Sequence, residues 1–318
     1  MAVIFHPGKS RVDALRRAVA RAAKEVGWAE TSWYETDPDD AGASATRAAL
    51  ESGADVVAAS GGDGTVRAVA EVLRGTDVPM AIIPRGTGNL LARNLHIPHA
   101  NLDQAARIAF GGTTRRIDVG VASLKRSESA EVEEHVFLVM AGLGIDADMV
   151  RNTDSNLKKV VGWLAYADAI AKSLPSSEAF RVAYRLEGQP QRSAVVHSVL
   201  AANCGILPSG IRLFPEASLD DGLLDIAAIR ARGRLGWLKV WNTVVVENGV
   251  LRRTKFGRRI AGSRSGAVRE VIYRQTKGVS FALGLPAACQ LDGDDFGEVI
   301  AARAWIDPAS LLIKSPEG

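Results

Sequence analysis

Residues 58–93, AASGGDGTVRAVAEVLRGTDVPMAIIPRGTGNLLAR, hold two glycine-rich turns, each leaving a short apolar segment and entering a helical one. In the first, residues 56–59 read as a buried strand and Gly61-Gly62-Asp63-Gly64-Thr65 as a tight loop. Residues 66–74 then read as a helix with Val66, Val69, Val72 and Leu73 on one side. Glycines at 61, 62 and 64 are expected to take backbone conformations closed to other residues and to bring a ligand against main-chain N–H groups. A phosphate held there would also face the positive end of the helix dipole. Asp63 would repel that phosphate unless a cation such as Mg²⁺ stood between them, so the loop points to a metal–nucleotide complex. The second turn repeats the arrangement after Met80-Ala81-Ile82-Ile83. Its Thr87 and Asn89 offer neutral hydrogen bonds, and its Arg85 offers charge.

The flanking chain has the same texture. Residues 2–5 predict a strand, residues 6–10 a loop, and residues 12–26 a helix with Val12, Leu15, Val19, Ala22 and Val26 at helical spacing. A second strand over 30–35 leads to Thr36 and to a helix over 41–52. A helix over 102–110 and a strand over 115–121, carrying Asp118, complete the run. Alternating strands and helices imply a mainly parallel sheet covered on both faces. From residue 179 the period changes to two: Phe180, Val182, Tyr184 and Leu186 alternate with Arg181, Ala183 and Arg185. Gly188-Gln189-Pro190 then turns the chain into one further strand over 193–203. Such strands belong to an antiparallel sandwich. The expectation is therefore an α/β nucleotide-binding domain over 1–124 and a β-sandwich domain over 125–318.

At 318 residues and 47% hydrophobic, the chain is long enough for two cored domains. A net charge of +3 is too small to argue for nucleic acid across the whole surface, and no nucleic-acid partner is expected. The apolar runs fall short of the ~20 residues that cross a bilayer. The first residues lead straight into His6-Pro7-Gly8-Lys9 without a signal-type apolar stretch, so a cytoplasmic location is expected. Cys204 and Cys289 lack metal-ligand spacing and lie in apolar surroundings, as buried free thiols do. The charged residues 125–134 read as an exposed hairpin loop. Residues 234–248 read as a helix bearing Trp237 and Trp241, followed by six basic residues between Arg252 and Arg264. That combination suits an anionic membrane surface, and equally a solvated basic face.

GGDGT followed by PRGTGN resembles the catalytic domain of the diacylglycerol kinase and sphingosine kinase family, whose nucleotide fold is shared with NAD kinases; the bacterial soluble lipid kinases are the most similar members. The resemblance implies a diacylglycerol kinase-like N-terminal domain and a sandwich with the extreme C-terminus packed back on the first domain. It implies ATP and Mg²⁺ as cofactors, and nucleotide contacts from Thr36, Gly61, Gly62, Asp63, Gly64, Thr65, Val66, Arg67 and Thr87. It further implies Asp118 near the metal, residues 141–147 along the cleft, and a structural Mg²⁺ held by Asp221 with the backbone of Ser218 and Leu223. At residues 292–294 the family has DGE, its glutamate acting as base; this chain has Asp292-Gly293-Asp294, which puts Asp294 in that role, with Asp292 or Asp295 as alternatives. Departures are His6 for an asparagine, Leu90 for a carboxylate in the second turn, and Arg67 for an asparagine. The implied acceptor is a diacylglycerol-like lipid giving phosphatidic acid, met by peripheral contact with the inner membrane face, and a homodimer is open. The rival readings are an NAD kinase-like small-molecule kinase and a nucleotide-binding protein without catalysis.

Overall fold

The computed structural model describes residues 1–8, 12–86, 88–144, 179–207, 212–230 and 271–316. Thr87, residues 145–147 of the 141–147 segment, the expected helix at 234–248 and the basic cluster after it lie outside the described residues. The chain forms two units, one of residues 1–119 with 307–318, the other of residues 120–306. The division falls inside a strand, five residues ahead of the expected boundary, and the C-terminal segment belongs to the first unit.

In the first unit, β1 (Ala2–Phe5), β2 (Ser32–Glu35), β3 (Val57–Ser60) and β4 (Met80–Ile82) are parallel and ordered β4-β3-β1-β2. The register is direct, with Phe5 opposite Ser60 and Ala59 opposite Ile82. The strand residues of β1, β3 and β4 are all buried, as expected for a sheet covered on both faces. Helices α1 (Val12–Glu25), α2 (Ala43–Glu51), α3 (Asp63–Leu73), α4 (Leu90–Asn94) and α5 (Leu102–Gly111) supply that cover; α1 packs on α5 and α2 on α3. The apolar face of α1 is Leu15, Ala18, Val19, Ala22 and Ala23, whereas Val26 lies beyond the helix and is exposed. Helix α3 begins at Asp63, three residues earlier than its apolar periodicity suggests, so Asp63, Gly64 and Thr65 are its first turn and not loop.

In this unit the end of β14 (Asp294–Ser315) pairs alongside β4 through Ile313 and Met80. Asp118, buried in β5 (Thr113–Lys125), accepts the Ala309 amide at 2.7 Å, at a residue with φ of 51°. The carboxylate thus secures the left-handed turn through which the C-terminal segment enters the unit.

The second unit is antiparallel. β5 and β6 (Glu133–Phe137) form a hairpin whose exposed loop is tied by Arg126 to Glu133. β7 (Met140–Leu143), β10 (Ser198–Ala202), β11 (Leu224–Ile229) and β12 (Val271–Thr276) run in the order β7-β10-β11-β12. β8 (Phe180–Leu186) pairs with β9 (Arg192–Val196) and β13 (Gly278–Leu291), and β13 with β14. β13 joins both sets, pairing with β8 over 279–283 and with β7 over 289–291, its register shifting between Ala282 and Ala287. A bulge of this kind lets one strand turn a corner between sheets. The single strand expected over 193–203 is likewise two. The chain breaks at His197, because β9 pairs with β8 while β10 pairs with β7 and β11. Val182, Val196, Val199, Ile226 and Phe281 from the two sets share one apolar core. Cys204 and Cys289 are buried thiols outside any disulfide, and burial pushes the Cys289 thiol up to about 12.

Candidate active site

The sheet order of the first unit creates a point where successive connections diverge. β1 leads away to β2, while β3 leads the opposite way to β4, so the loops leaving β1 and β3 part at the carboxyl ends of two neighbouring strands. Ligands of open α/β sheets bind at such a crevice. His6 opens the loop after β1, and its Nδ1 accepts the Gly8 amide at 3.0 Å, which closes the turn locally. Thr36, at the end of β2, is buried; its amide donates to the Phe5 carbonyl and its methyl packs against Gly42.

Because β3 and β4 are adjacent, the two glycine turns run side by side. The Arg85 amide donates to the Gly61 carbonyl at 3.0 Å, extending the ladder past the strands. A Cβ on Gly86 would stand 2.6 Å from the Cα of Gly62, and one on Gly61 would stand 2.6 Å from the Thr65 side chain. A Cβ on Gly88 would lie 2.5 Å from Oδ2 of Asp63. None of Gly61, Gly62, Gly64, Gly86 and Gly88 has a positive φ. The reason for glycine at 61, 86 and 88 is thus close approach of two backbones and a carboxylate, and not the special conformation expected from the sequence. The left-handed residue of the second turn is Asn89, with φ of 45°. It is buried, and its side-chain amide donates to the Gly86 carbonyl.

Asp63 joins the turns. Its Oδ2 accepts the Asn89 amide at 2.9 Å and its Oδ1 the Leu90 amide at 2.7 Å. These are amides at the start of α4, and an ionised acceptor makes such bonds shorter and stronger. From sequence, a carboxylate among bare amides is reasonable only with a divalent ion. The geometry supplies a second reason, since Asp63 serves the neighbouring turn whether or not a metal is bound. The Asp63, Gly64 and Thr65 amides, in the first turn of α3, have no intrahelical acceptor by helix geometry. Val66 is buried in the core and Arg67 is half-buried beside it. Burial pulls Arg85 below its ordinary value.

In the second unit, Leu291 pairs with Asp294 around a two-residue turn in which Asp292 has φ of 53° and Gly293 of 90°. Two positive φ angles in succession make the twist-matched hairpin turn that Asp-Gly favours. Asp292 is buried. Its Oδ2 accepts the Leu138 amide at 2.8 Å, and its Oδ1 accepts the amides of Val139 at 2.8 Å and Met140 at 3.0 Å. Such a carboxylate is committed to holding the chain between β6 and β7, which argues against it as an alternative base. Asp294 is exposed two residues on. Asp295 accepts the Gly297 amide at 2.8 Å and caps its own turn. The DG hairpin signal was present in the sequence; the threefold use of Asp292 was not.

The segment expected to hold a structural ion is a tight turn in the same unit. Asp221 Oδ1 accepts the Leu223 amide at 3.0 Å, Gly222 has φ of 71°, and the Ser218 hydroxyl donates to Asp220. This local bonding stabilises the turn without an ion. Among the described residues no cluster of three or more His, Cys, Asp or Glu side chains is arranged to hold a metal. Nor is any helix among them long and apolar enough to cross a membrane.

Comparison with known proteins agrees with this division. Residues 1–122 match the model of the diacylglycerol kinase catalytic domain, and residues 139–254 that of the YegS C-terminal NAD kinase beta sandwich-like domain. A Mycobacterium tuberculosis diacylglycerol kinase is 32% identical over 197 residues, which cover 62% of this chain and 62% of that protein. The chain therefore matches less than two thirds of that relative's length. A Pseudomonas aeruginosa protein named "Probable lipid kinase YegS-like" is 33% identical over 231 residues, 71% of each chain. A crystal structure of a Bacillus anthracis diacylglycerol kinase shares the fold with a TM-score of 0.67 at 18% identity, covering 99% of this chain and 96% of that one. With paired glycine turns at a parallel-sheet crevice, an antiparallel sandwich after them and relatives aligned across both, the chain belongs to the diacylglycerol kinase catalytic-domain family, alongside the YegS-like proteins.

Proposed function

We propose that the protein is an ATP-dependent lipid kinase that phosphorylates the hydroxyl of a diacylglycerol-like acceptor. The observation that carries the reading is the locked pair of glycine turns at the carboxyl ends of β3 and β4, with the amides of the first turn of α3 beside them. Phosphoryl transfer needs little covalent help from protein; positioning and charge stabilisation supply most of it. Family membership supports ATP as the donor, and the relatives' names support a lipid acceptor.

In this reading the Gly61–Thr65 backbone receives the polyphosphate, with Thr36, Val66, Arg67 and Thr87 around it. Asp63 keeps the second turn pressed on the first, so both present amides at a fixed spacing. Magnesium, when bound, neutralises phosphate charge, and Asp63 is the carboxylate of these turns suited to face it. Asp294 accepts the proton of the acceptor hydroxyl as that oxygen attacks the γ-phosphate. Its exposure on the hairpin leaves it open to an incoming hydroxyl, and Asp292 fixes that hairpin through the amides it accepts. Asp221, Ser218 and Leu223 would hold a second ion only as an addition to the turn's own hydrogen bonds. The lipid is met by peripheral contact with a membrane surface.

The test is transfer of labelled phosphate from ATP to lipid in mixed micelles, with NAD as the competing acceptor. Asp294→Ala is expected to lower kcat at least a hundredfold and leave ATP affinity and melting temperature unchanged. Full activity in that variant removes Asp294 from the mechanism; transfer to NAD and not to lipid overturns the acceptor class.

A further inference from the structure

The sandwich unit encloses a cavity of about 130 Å³ that no part of the proposed chemistry uses. Its walls are the inward faces of both strand sets, among them Val182, Val199, Ile226 and Phe281, all buried. β8 alone lines it from Val182 through Tyr184 to Leu186, and β11 from Ile226 through Ala228 to Arg230. Four residues of strand at ~3.4 Å each make the cavity about 13 Å long. A volume somewhat below the ~150 Å³ that admits one benzene ring, drawn out over that length, is a slot for a chain and not for a ring.

The solvent side of the slot is cationic. Arg192, Arg230 and Arg274 line it and are exposed where the aliphatic walls are buried, and Arg274 also donates to the Tyr273 carbonyl at 2.8 Å. No carboxylate is among its described lining residues; Asp225, on β11, alternates to the opposite face and accepts from Gln275 there. Arg192 and Arg274 sit on β9 and β12, each paired with a single strand among the described residues. Inward-pointing charge on an edge strand guards it against unwanted pairing, but Arg230 follows β11, a strand paired on both sides, and needs another reason.

We infer that this slot binds a single straight alkyl chain bearing an anionic head, a carboxylate or a phosphate monoester, with the chain between the sheets and the head on the arginines. Guanidinium forks match both heads, and three clustered cations favour an anionic head over a neutral one. The site is separate from the paired glycine turns and does not depend on the kinase reading.

The experiment is calorimetric titration of the full chain with hexanoate, octanoate and decanoate below their micelle concentrations, with decyl phosphate and decanol alongside. Affinity is expected to tighten about fourfold per added methylene and then level off as the slot fills, with one site per chain. Decanol should bind at least tenfold more weakly than decanoate. Whichever of decanoate and decyl phosphate binds more tightly identifies the head. Arg230→Ala and Arg274→Ala leave the apolar walls intact and should each weaken decanoate at least fivefold at unchanged melting temperature, while Val199→Trp should abolish binding. The inference fails if neither anion saturates, if decanol matches decanoate, or if both arginine variants keep full affinity.

Discussion

Asp292→Asn is the sharpest test of how the hairpin that carries Asp294 is built. The substitution keeps the size and shape of the side chain, and asparagine tolerates the left-handed backbone that residue 292 adopts at φ of 53°. Only the hydrogen bonding changes. The carboxamide oxygen can still accept from Val139 and Met140, but the amide nitrogen then faces the Leu138 N–H, donor against donor. Losing a bond to a charged acceptor and stranding a buried N–H costs about 2–3 kcal/mol. The two surviving bonds fall from charged to neutral strength, about 0.5–1 kcal/mol each, for a total of about 3–5 kcal/mol. In a unit spanning residues 120–306, at ~2–4 °C per kcal/mol, the melting temperature should drop on the order of 10 °C. Differential scanning calorimetry of the purified variant measures it. A drop of less than about 2 °C would show that the three amides do not depend on the carboxylate's charge, and would refute the reasoning.

Gly86→Ala puts a methyl group 2.6 Å from the Gly62 backbone and should destabilise the first unit by about 1–3 kcal/mol while weakening ATP binding; urea unfolding and nucleotide titration read the two effects. The Asp225 carboxyl is raised above its ordinary value first by burial, opposed by its bond from Gln275 and aided by Asp221 and Glu216. Its folded pKa exceeds its unfolded one, so its contribution is fully present below the unfolded pKa and is lost as pH rises through the folded one. The melting temperature of the wild type minus that of Asp225→Asn should therefore decline as pH rises above about 4, the ordinary carboxylate value, and a flat difference contradicts the shift. Glu133 is held at about 2 chiefly by its bond from Arg126. The Arg126–Glu133 contact therefore operates above the ordinary carboxylate range and fades as pH falls towards 2. Arg126→Ala should return the Glu133 carboxyl, followed by NMR titration, to the ordinary range.

The alternation of apolar runs, glycine turns and helical periods up to residue 121 is local information, and it was enough to read a parallel α/β unit followed by antiparallel strands. Period and turn chemistry depend on neighbours in sequence, so they survive without any knowledge of tertiary contacts. Family membership was legible for the same reason, since GGDGT and PRGTGN are contiguous.

What sequence reasoning could not reach depends on which strands become neighbours. Asp63 reaches the amides of Asn89 and Leu90, some two dozen residues away, only because β3 and β4 lie side by side. Gly86 must be glycine because Gly62 is pressed against it, a relation that no spacing rule contains. The three amides that converge on Asp292 come from about 150 residues upstream. The break at His197 separates two strands whose apolar texture is continuous, because β9 pairs with β8 while β10 pairs with β7 and β11. Local sequence thus determined the elements and the turns between them. The sheet's strand order decided which backbone amides a carboxylate could satisfy, and hence which aspartates hold the site together and which face outward.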